Sequence, residues 1–143
     1  MSTEANSGLP PSITTAERYR SIYRPDLFQG RTVVVTGGGS GLGRCVVHEL
    51  ASLGARVAIV GRKPAKLDAV AAELAAIYPE SADRVSLHAC DIREEDAVRR
   101  TVAEIVARHG GIDGVFNCAG GQYPAPLRDI TAKGWDAVVR TNL

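Results

Sequence analysis

No apolar run in this chain approaches the about 20 residues that a membrane-spanning helix needs. The N-terminus has no basic-then-apolar segment of the secretory kind, so the cytoplasm is the expected location. Charge of one sign is also missing: 17 Lys and Arg face 16 Asp and Glu, and no basic cluster breaks the balance, which argues against a nucleic-acid partner. Cysteine is sparse. Cys45, Cys90 and Cys118 are far apart and form no C-x-x-C pair, so neither a zinc site nor a redox pair is expected, and reduced side chains in a packed interior are. His48, His88 and His109 show no ligand spacing and are expected on a helix surface, a strand and a helix end. No metal is expected. With 143 residues, 45% of them hydrophobic, the chain can build one domain with a core.

What is present is an alternation of strand and helix patterns. Met1 to about Pro11 is rich in Ser, Gly, Pro and Asn and reads as a mobile tail. Tyr19 to Gln29, broken at Pro25, reads as a lead-in packed beside the first strand through Tyr23, Leu27 and Phe28. The first strand is expected at Thr32 to Val35, and the second, mostly apolar, at Arg56 to Val60. The third is expected at Arg84 to Ala89 and the fourth at Ile112 to Phe116. A helix after the first strand carries Leu42, Val46, Leu50 and Leu53 on one face and ends at Gly54. A second starts at Pro64, buries Leu67, Val70, Ala71, Leu74 and Ile77, and stops before Pro79. Asp91 with Glu94 fits a capping box for a third, with Val98, Val102 and Ile105 on its face and His109-Gly110-Gly111 at its end. Thr131 caps a fourth containing Trp135, Val138 and Val139. Four such steps imply a parallel sheet with helices on both faces.

The turn between the first strand and its helix, Thr36-Gly37-Gly38-Gly39-Ser40-Gly41-Leu42-Gly43, carries the chemistry. A glycine-rich turn from strand to helix lets backbone approach a diphosphate, which the unpaired N–H groups and positive end of the helix then hold. No register fits G-x-G-x-x-G, and no Gly-Lys-Ser/Thr exists for a P-loop. Thr36, Gly37, Gly41 and Gly43 do fit T-G-x-x-x-G-x-G. This resembles the short-chain dehydrogenase/reductase family in its compact branch, and the glycine spacing argues against the extended branch of nucleotide-sugar epimerases.

The resemblance covers Leu27 to Leu143. It implies an α/β, Rossmann-type doubly wound parallel sheet, incomplete, with its first four strands in the order 3-2-1-4. Residues 1–24 would be a flexible N-terminal extension, and residues 25–143 the N-terminal half of an NADP-binding domain, truncated in its last helix. Gly37, Gly39, Ser40, Gly41, Leu42 and Gly43 would hold the cofactor. In NAD-using members an acidic residue ends the second strand and bonds the adenosine ribose. Here that strand ends Val60-Gly61-Arg62-Lys63, without an acid. A guanidinium can take a 2′-phosphate with two hydrogen bonds where a carboxylate would repel it, so NADP(H) is expected, with Arg62 as the clamp and Lys63 in support. A solvated strand-end pair is the alternative, and Gly61 weighs against it by leaving room where the acid would stand. Arg44 could add charge. The resemblance places Asp91 and Ile92 at the adenine, which a helix-capping role for Asp91 does not preclude. Asn117, Ala119 and Gly120 belong to the family's N-N-A-G segment beside the nicotinamide ribose, with Cys118 in place of the second Asn.

Asn142, in Thr141-Asn142-Leu143, matches the family asparagine that holds a water in the proton relay, the sole matched member of the catalytic tetrad. The Ser and the Tyr-x-x-x-Lys of that tetrad have no counterpart here. Tyr19, Tyr23, Tyr78 and Tyr123 are the only tyrosines, and none has Lys four residues on. The chain is therefore expected to bind cofactor without turnover. Tyr23-Arg24-Pro25-Asp26-Leu27-Phe28, Gly120-Gly121-Gln122-Tyr123 and Lys133-Gly134-Trp135-Asp136-Ala137-Val138 are further similar to citronellol/citronellal dehydrogenase-type proteins and to peroxisomal trans-2-enoyl-CoA reductases. These groups imply a carbonyl, alcohol or enoyl-CoA substrate, with Gly120, Gly121 and Gln122 bordering it, a plain loop being the alternative for Gly121-Gln122, and the family resemblance implies a homo-oligomer of two or four copies. A non-catalytic NADP-binding fragment or redox-sensing module is the second reading.

Overall fold

A computed structural model describes residues 21–142. The expected tail from Met1 to about Pro11, most of the expected extension, Tyr19 and Leu143 lie outside the described residues.

Four strands form one parallel sheet in the order β3-β2-β1-β4. They are β1 (Thr32–Thr36), β2 (Arg56–Gly61), β3 (Val85–Ala89) and β4 (Gly114–Asn117). Helices α1 (Gly41–Ser52), α2 (Pro64–Ile77) and α3 (Glu95–His109) alternate with them, and α4 (Ala132–Asn142) follows β4. Val33 and Val35 of β1 and Val57 and Ile59 of β2 point to one face, where Val47, Leu50 and Ala51 of α1 and Leu67, Val70 and Leu74 of α2 cover them. Val34, Ala58 and Val60 point to the other, against Ile105, Ala97 and Val98 of α3. The central strands are thus buried on both faces, which explains their unbroken apolar runs. Each such side chain removed from water contributes about 1.5–3 kcal/mol, and Val35, Val47, Val57, Ile59 and Ile105 are fully buried. This is the expected doubly wound sheet and strand order.

Several local expectations are corrected. The buried face of α1 is Gly43, Val47, Leu50 and Ala51, whereas Leu42 is 82% exposed. Gly43 faces inward because it lies against the backbone of Gly37 and Gly38 in the glycine turn. On α3, Thr101 and Ile105 are buried and Val102 is exposed. The capping box does not form: Glu94 is the N-cap residue without a side-chain cap, and the Asp91 carboxylate is taken by Arg93. β4 begins at Gly114, because Asp113 is held before it. Its carboxylate accepts the Thr32 N–H at 2.8 Å and Arg31 Nη1 at 2.8 Å. Those bonds, the Thr32 N–H first, keep Asp113 below its ordinary carboxylate range. Of the cysteines only Cys90 is buried; Cys45 is exposed on α1 and Cys118 is half-buried. The Thr131 cap does form, its Oγ1 accepting the Gly134 N–H at 3.1 Å.

Candidate functional site

The carboxyl ends of the parallel strands open into a cleft of about 460 Å³. Each strand contributes the residues that follow it. The turn after β1 brings Gly37, Gly39, Ser40, Gly41, Leu42 and Gly43, and the end of β2 brings Arg62 and Lys63. Asp91 and Ile92 follow β3, and Ala119 and Gly120 follow β4. An open α/β sheet binds ligands at this end, where loops from neighbouring strands diverge.

The turn is shaped by close backbone approach. Gly37 has φ +68°, and a Cβ there would stand 2.7 Å from the Ala119 nitrogen. A Cβ on Gly43 would run into the Gly37 carbonyl oxygen. Thr36 Oγ1 accepts the Ala119 N–H at 3.1 Å and so ties the β1 turn to the loop after β4. Ser40 sits at the α1 N-cap without a side-chain capping bond, and no acidic residue stands in the first helical turn. The orphan N–H groups of that turn and the positive end of the helix are therefore left for an exogenous anion.

The walls are cationic. Among the described residues no carboxylate forms an ion pair with Arg62, Lys63 or Lys66, and all three are exposed at the cleft. Asp91, the one acid that the described residues bring to the cleft, is gripped by Arg93. Nε donates at 2.9 Å, Nη2 at 2.5 Å and the Arg93 N–H at 3.1 Å. The Arg93 side chain, then its backbone bond, holds the Asp91 carboxyl far below the ordinary range. Arg44 does not add its charge to this group, contrary to expectation. Its Nε donates to Glu73 Oε2 at 2.6 Å, and His48 Nε2 lies 2.9 Å from the same oxygen. Burial alone would raise the Glu73 pKa, but the hydrogen bonds from Arg44 and His48 outweigh it and lower the value.

Besides Arg44, the expected residues Asn117, Asn142, Gly121 and Gln122 stand apart from the cleft lining. Asn117 ends β4 opposite Thr36 with its side chain exposed. Asn142 is bound to the loop after β4: Nδ2 donates to the Gly121 carbonyl at 2.9 Å, and Oδ1 accepts the Gly121 N–H at 3.2 Å. Nδ2 also donates to the Val138 carbonyl at 2.7 Å. The asparagine side chain is thus a clasp between α4 and the Gly120-Gly121 segment. The cleft also recruits Lys66, Arg93, Cys118 and Thr141, which the sequence reading did not place there as binding residues. Lys66 follows Lys63 by three residues on α2, a helical spacing that could have pointed to it.

The short chain dehydrogenase family matches residues 31–143. This chain belongs to that family. The citronellol catabolism dehydrogenase (AtuB) of Pseudomonas aeruginosa PAO1 is a solved structure similar to it, at 54% identity and a TM-score of 0.79, covering 87% of this chain and 49% of that one. Glucose 1-dehydrogenase of Gluconobacter oxydans is 37% identical over 118 residues, 82% of this chain and 43% of that protein. The peroxisomal 2,4-dienoyl-CoA reductase of Arabidopsis thaliana is 29% identical over 119 residues, 83% of this chain and 39% of that protein. The chain thus spans about half the length, or less, of the relatives it matches. Family members are oxidoreductases that use nicotinamide cofactors, NAD or NADP. The residues at the cleft fit such a dinucleotide: a turn kept free of Cβ atoms meets the N-terminus of α1, with cations on one wall. Among the described residues no helix is long and apolar enough to cross a membrane, and no cluster of metal-ligating side chains occurs.

Proposed function

We propose that this chain is the NADP(H)-binding portion of an oxidoreductase that moves a hydride between nicotinamide and a carbonyl, alcohol or enoyl-CoA substrate. The observation that carries the cofactor choice is Arg62 and Lys63 at the end of β2, neither in an ion pair with a carboxylate of the described residues, while the nearby Asp91 is held by Arg93. Bound there, the nicotinamide supplies or accepts the hydride. The N–H groups at the start of α1 would take the diphosphate, and Arg62 the 2′-phosphate. Asp91 and Ile92 would border the adenine, with Asp91 held ionised and oriented by Arg93. Ala119 and Gly120 would border the nicotinamide ribose. The clasp from Asn142 would keep that second loop in place, and its α4 position would set it near the reacting end.

The likeness to a citronellol dehydrogenase and to a dienoyl-CoA reductase supports both substrate classes, since the cradle serves either chemistry. Tyr23, Tyr78 and Tyr123 lack a lysine four residues on, so these residues offer no Tyr-Lys proton donor. Calorimetric titration of the chain with NADPH and NADH tests the cofactor reading. NADPH is expected to bind at least about tenfold tighter, the worth of one charge-assisted hydrogen bond. Equal affinities, or tighter NADH, sink it. Saturable NADPH binding with no consumption on adding aldehydes, ketones or enoyl-CoA agrees with a binding portion, whereas substrate-dependent oxidation by the pure chain refutes that division of labour.

A further inference from the structure

We infer that Ser86, His88 and His109 form a proton-operated latch between β3 and α3, closed while both rings are neutral, that sets how tightly the cleft holds a dinucleotide. This rests on the dinucleotide reading of the cleft given above. Three side chains of α3 grip β3. Arg108 Nη2 donates to the Val85 carbonyl at 3.1 Å, Glu104 lies 3.4 Å from His88 Nδ1, and His109 Nε2 lies 2.8 Å from Ser86 Oγ. The same hydroxyl lies 3.0 Å from His88 Nε2 and so bridges the two imidazoles. Ser86 and His88 are buried, and neither lines the cleft. Their partners in β2 are Ala58 and Val60, which carry no charge. The charges that bear on the pair are Glu104 and Arg108 from α3 and Arg56 from the start of β2. Arg84, just before β3, turns instead to the Glu80 carbonyl.

A hydroxyl has one proton to give. With both rings neutral it donates to His88 and accepts from His109, and both ring nitrogens at the bridge are satisfied. A proton added to His88 turns two N–H donors on the hydroxyl and leaves its own proton without an acceptor in a buried site. A proton added to His109 sets a third cation beside Arg108 and Arg56. Burial, then those two charges, already hold that ring below its ordinary 6.5. Either proton therefore favours separation of α3 from β3. The separation reaches the cleft through the connection between the two elements. Cys90, Asp91, Ile92 and Arg93 line the cleft, and they lie between the end of β3 at Ala89 and the start of α3 at Glu95. The Cys90 N–H donates to the Gly61 carbonyl at 3.0 Å, so the near end of this wall is fixed to β2. Its far end goes where α3 goes. Ile105, next to Glu104, packs in one cluster with Cys90, so an opened latch also loosens the core behind the wall.

Calorimetric titration with the acid-stable NADP⁺ from about pH 8 down to about pH 5.5, over the range in which circular dichroism shows the fold intact, compares the unaltered chain with H109Q and H88Q. The 2′-phosphate of the ligand titrates near pH 6 as well, but alike for all three proteins, so the difference between them isolates the histidines. The affinity of the unaltered chain is expected to fall about tenfold further than that of either variant, the linkage of one proton over one pH unit. Coupling is reciprocal, so bound NADP⁺ must lower the proton affinity of His109 by the same factor. The ring-proton resonances of the unaltered chain, followed through pH with and without NADP⁺, read this directly and need no variant that folds. His48, bonded to Glu73 between α1 and α2, is the internal control and should not change. Parallel affinity profiles overturn the latch. So does a His109 proton affinity that stays constant, or that rises as the negative charge of the ligand alone would make it. A chain that binds neither NADP⁺ nor NAD⁺ at pH 8 overturns the reading of the cleft itself, and the latch with it.

Discussion

Gly37 and Gly43 show how single residues set the cradle. At Gly37 the backbone is left-handed, and the space where a Cβ would lie is filled by the backbone of Cys118 and Ala119, 2.7–2.8 Å away. An alanine there adds about 1–2 kcal/mol of backbone strain and forces apart the two loops that Thr36 ties together. Gly43 needs no unusual dihedral; an alanine would collide with the Gly37 carbonyl and lift α1 off the turn. Gly37→Ala and Gly43→Ala are each expected to cost about 2–4 kcal/mol, strain and overpacking together, and to abolish dinucleotide binding. Gly111→Ala, where a Cβ meets nothing within 4 Å, is the control and should be neutral. Urea melts of the three variants decide it, and a Gly43→Ala chain as stable as the parent would contradict the packing. The turn was legible in sequence because glycine spacing records where backbone meets backbone. Arg44 was not, because its partner Glu73 lies 29 residues on and only the packing of α1 on α2 brings them together. The engagement of Asn142 with Gly121 was hidden for the same reason.

At the scale of elements, β3 and α3 are joined by a polar chain inside an otherwise apolar contact. Glu104 lies 3.4 Å from His88 Nδ1, His88 Nε2 lies 3.0 Å from Ser86 Oγ, and that hydroxyl lies 2.8 Å from His109 Nε2. A hydroxyl donates once, so with the His88 Nδ1 proton directed at Glu104, Ser86 donates to His88 and accepts from His109. Burial, then the charges of Arg108 and Arg56, lowers the His109 pKa below its ordinary 6.5. The unfolded chain therefore binds a proton before the folded one does. The contribution of His109 to stability is complete above pH 6.5 and is lost as pH falls through its lower folded value. Urea midpoints measured from pH 7.5 down to 5 should fall more steeply for the unaltered chain than for His109→Gln. Parallel slopes would show that the histidine titrates alike in both states. Elements were legible wherever apolar periodicity was strong, as for β1, β2 and α2. They were misjudged where small or polar residues carry the contact: Gly43 and Ala51 rather than Leu42 on α1, and Thr101 rather than Val102 on α3. Hydrophobicity alone does not mark a face that packs by close approach.

For the whole molecule, the sheet is covered unevenly. Among the described residues, helices cover β2 and β1 on both faces, β3 less completely, with Leu87 36% exposed, and leave β4 bare. Val115 is 55% exposed and Phe116 46% exposed, and adjacent strand residues point to opposite faces, so the described residues cover neither face of β4. A groove of about 360 Å³ runs beside it between Leu27, Phe28, Val33 and Phe116. Among the described residues β4 pairs only with β1, so its other edge presents unpaired backbone groups beside this apolar surface. Strand edges with exposed apolar neighbours pair with whatever strand they meet, and charge on the edge opposes this. The chain is accordingly expected to bind a hydrophobic dye at neutral pH and to sediment as larger species as its concentration rises. Phe116→Lys should lower both signals while retaining the far-ultraviolet circular dichroism of the fold, because Phe116 contributes to the groove and not to the two buried clusters beneath the helices. Dinucleotide binding should persist in that variant, since the cleft is lined from the turn after β1, the ends of β2 and β3, and the loop beyond Cys118. A chain that stays monodisperse and dark to the dye over the whole range would mean that the bare face of β4 is covered in solution. In that case Phe116→Lys should destabilise the fold rather than disperse it, and a thermal melt separates the two.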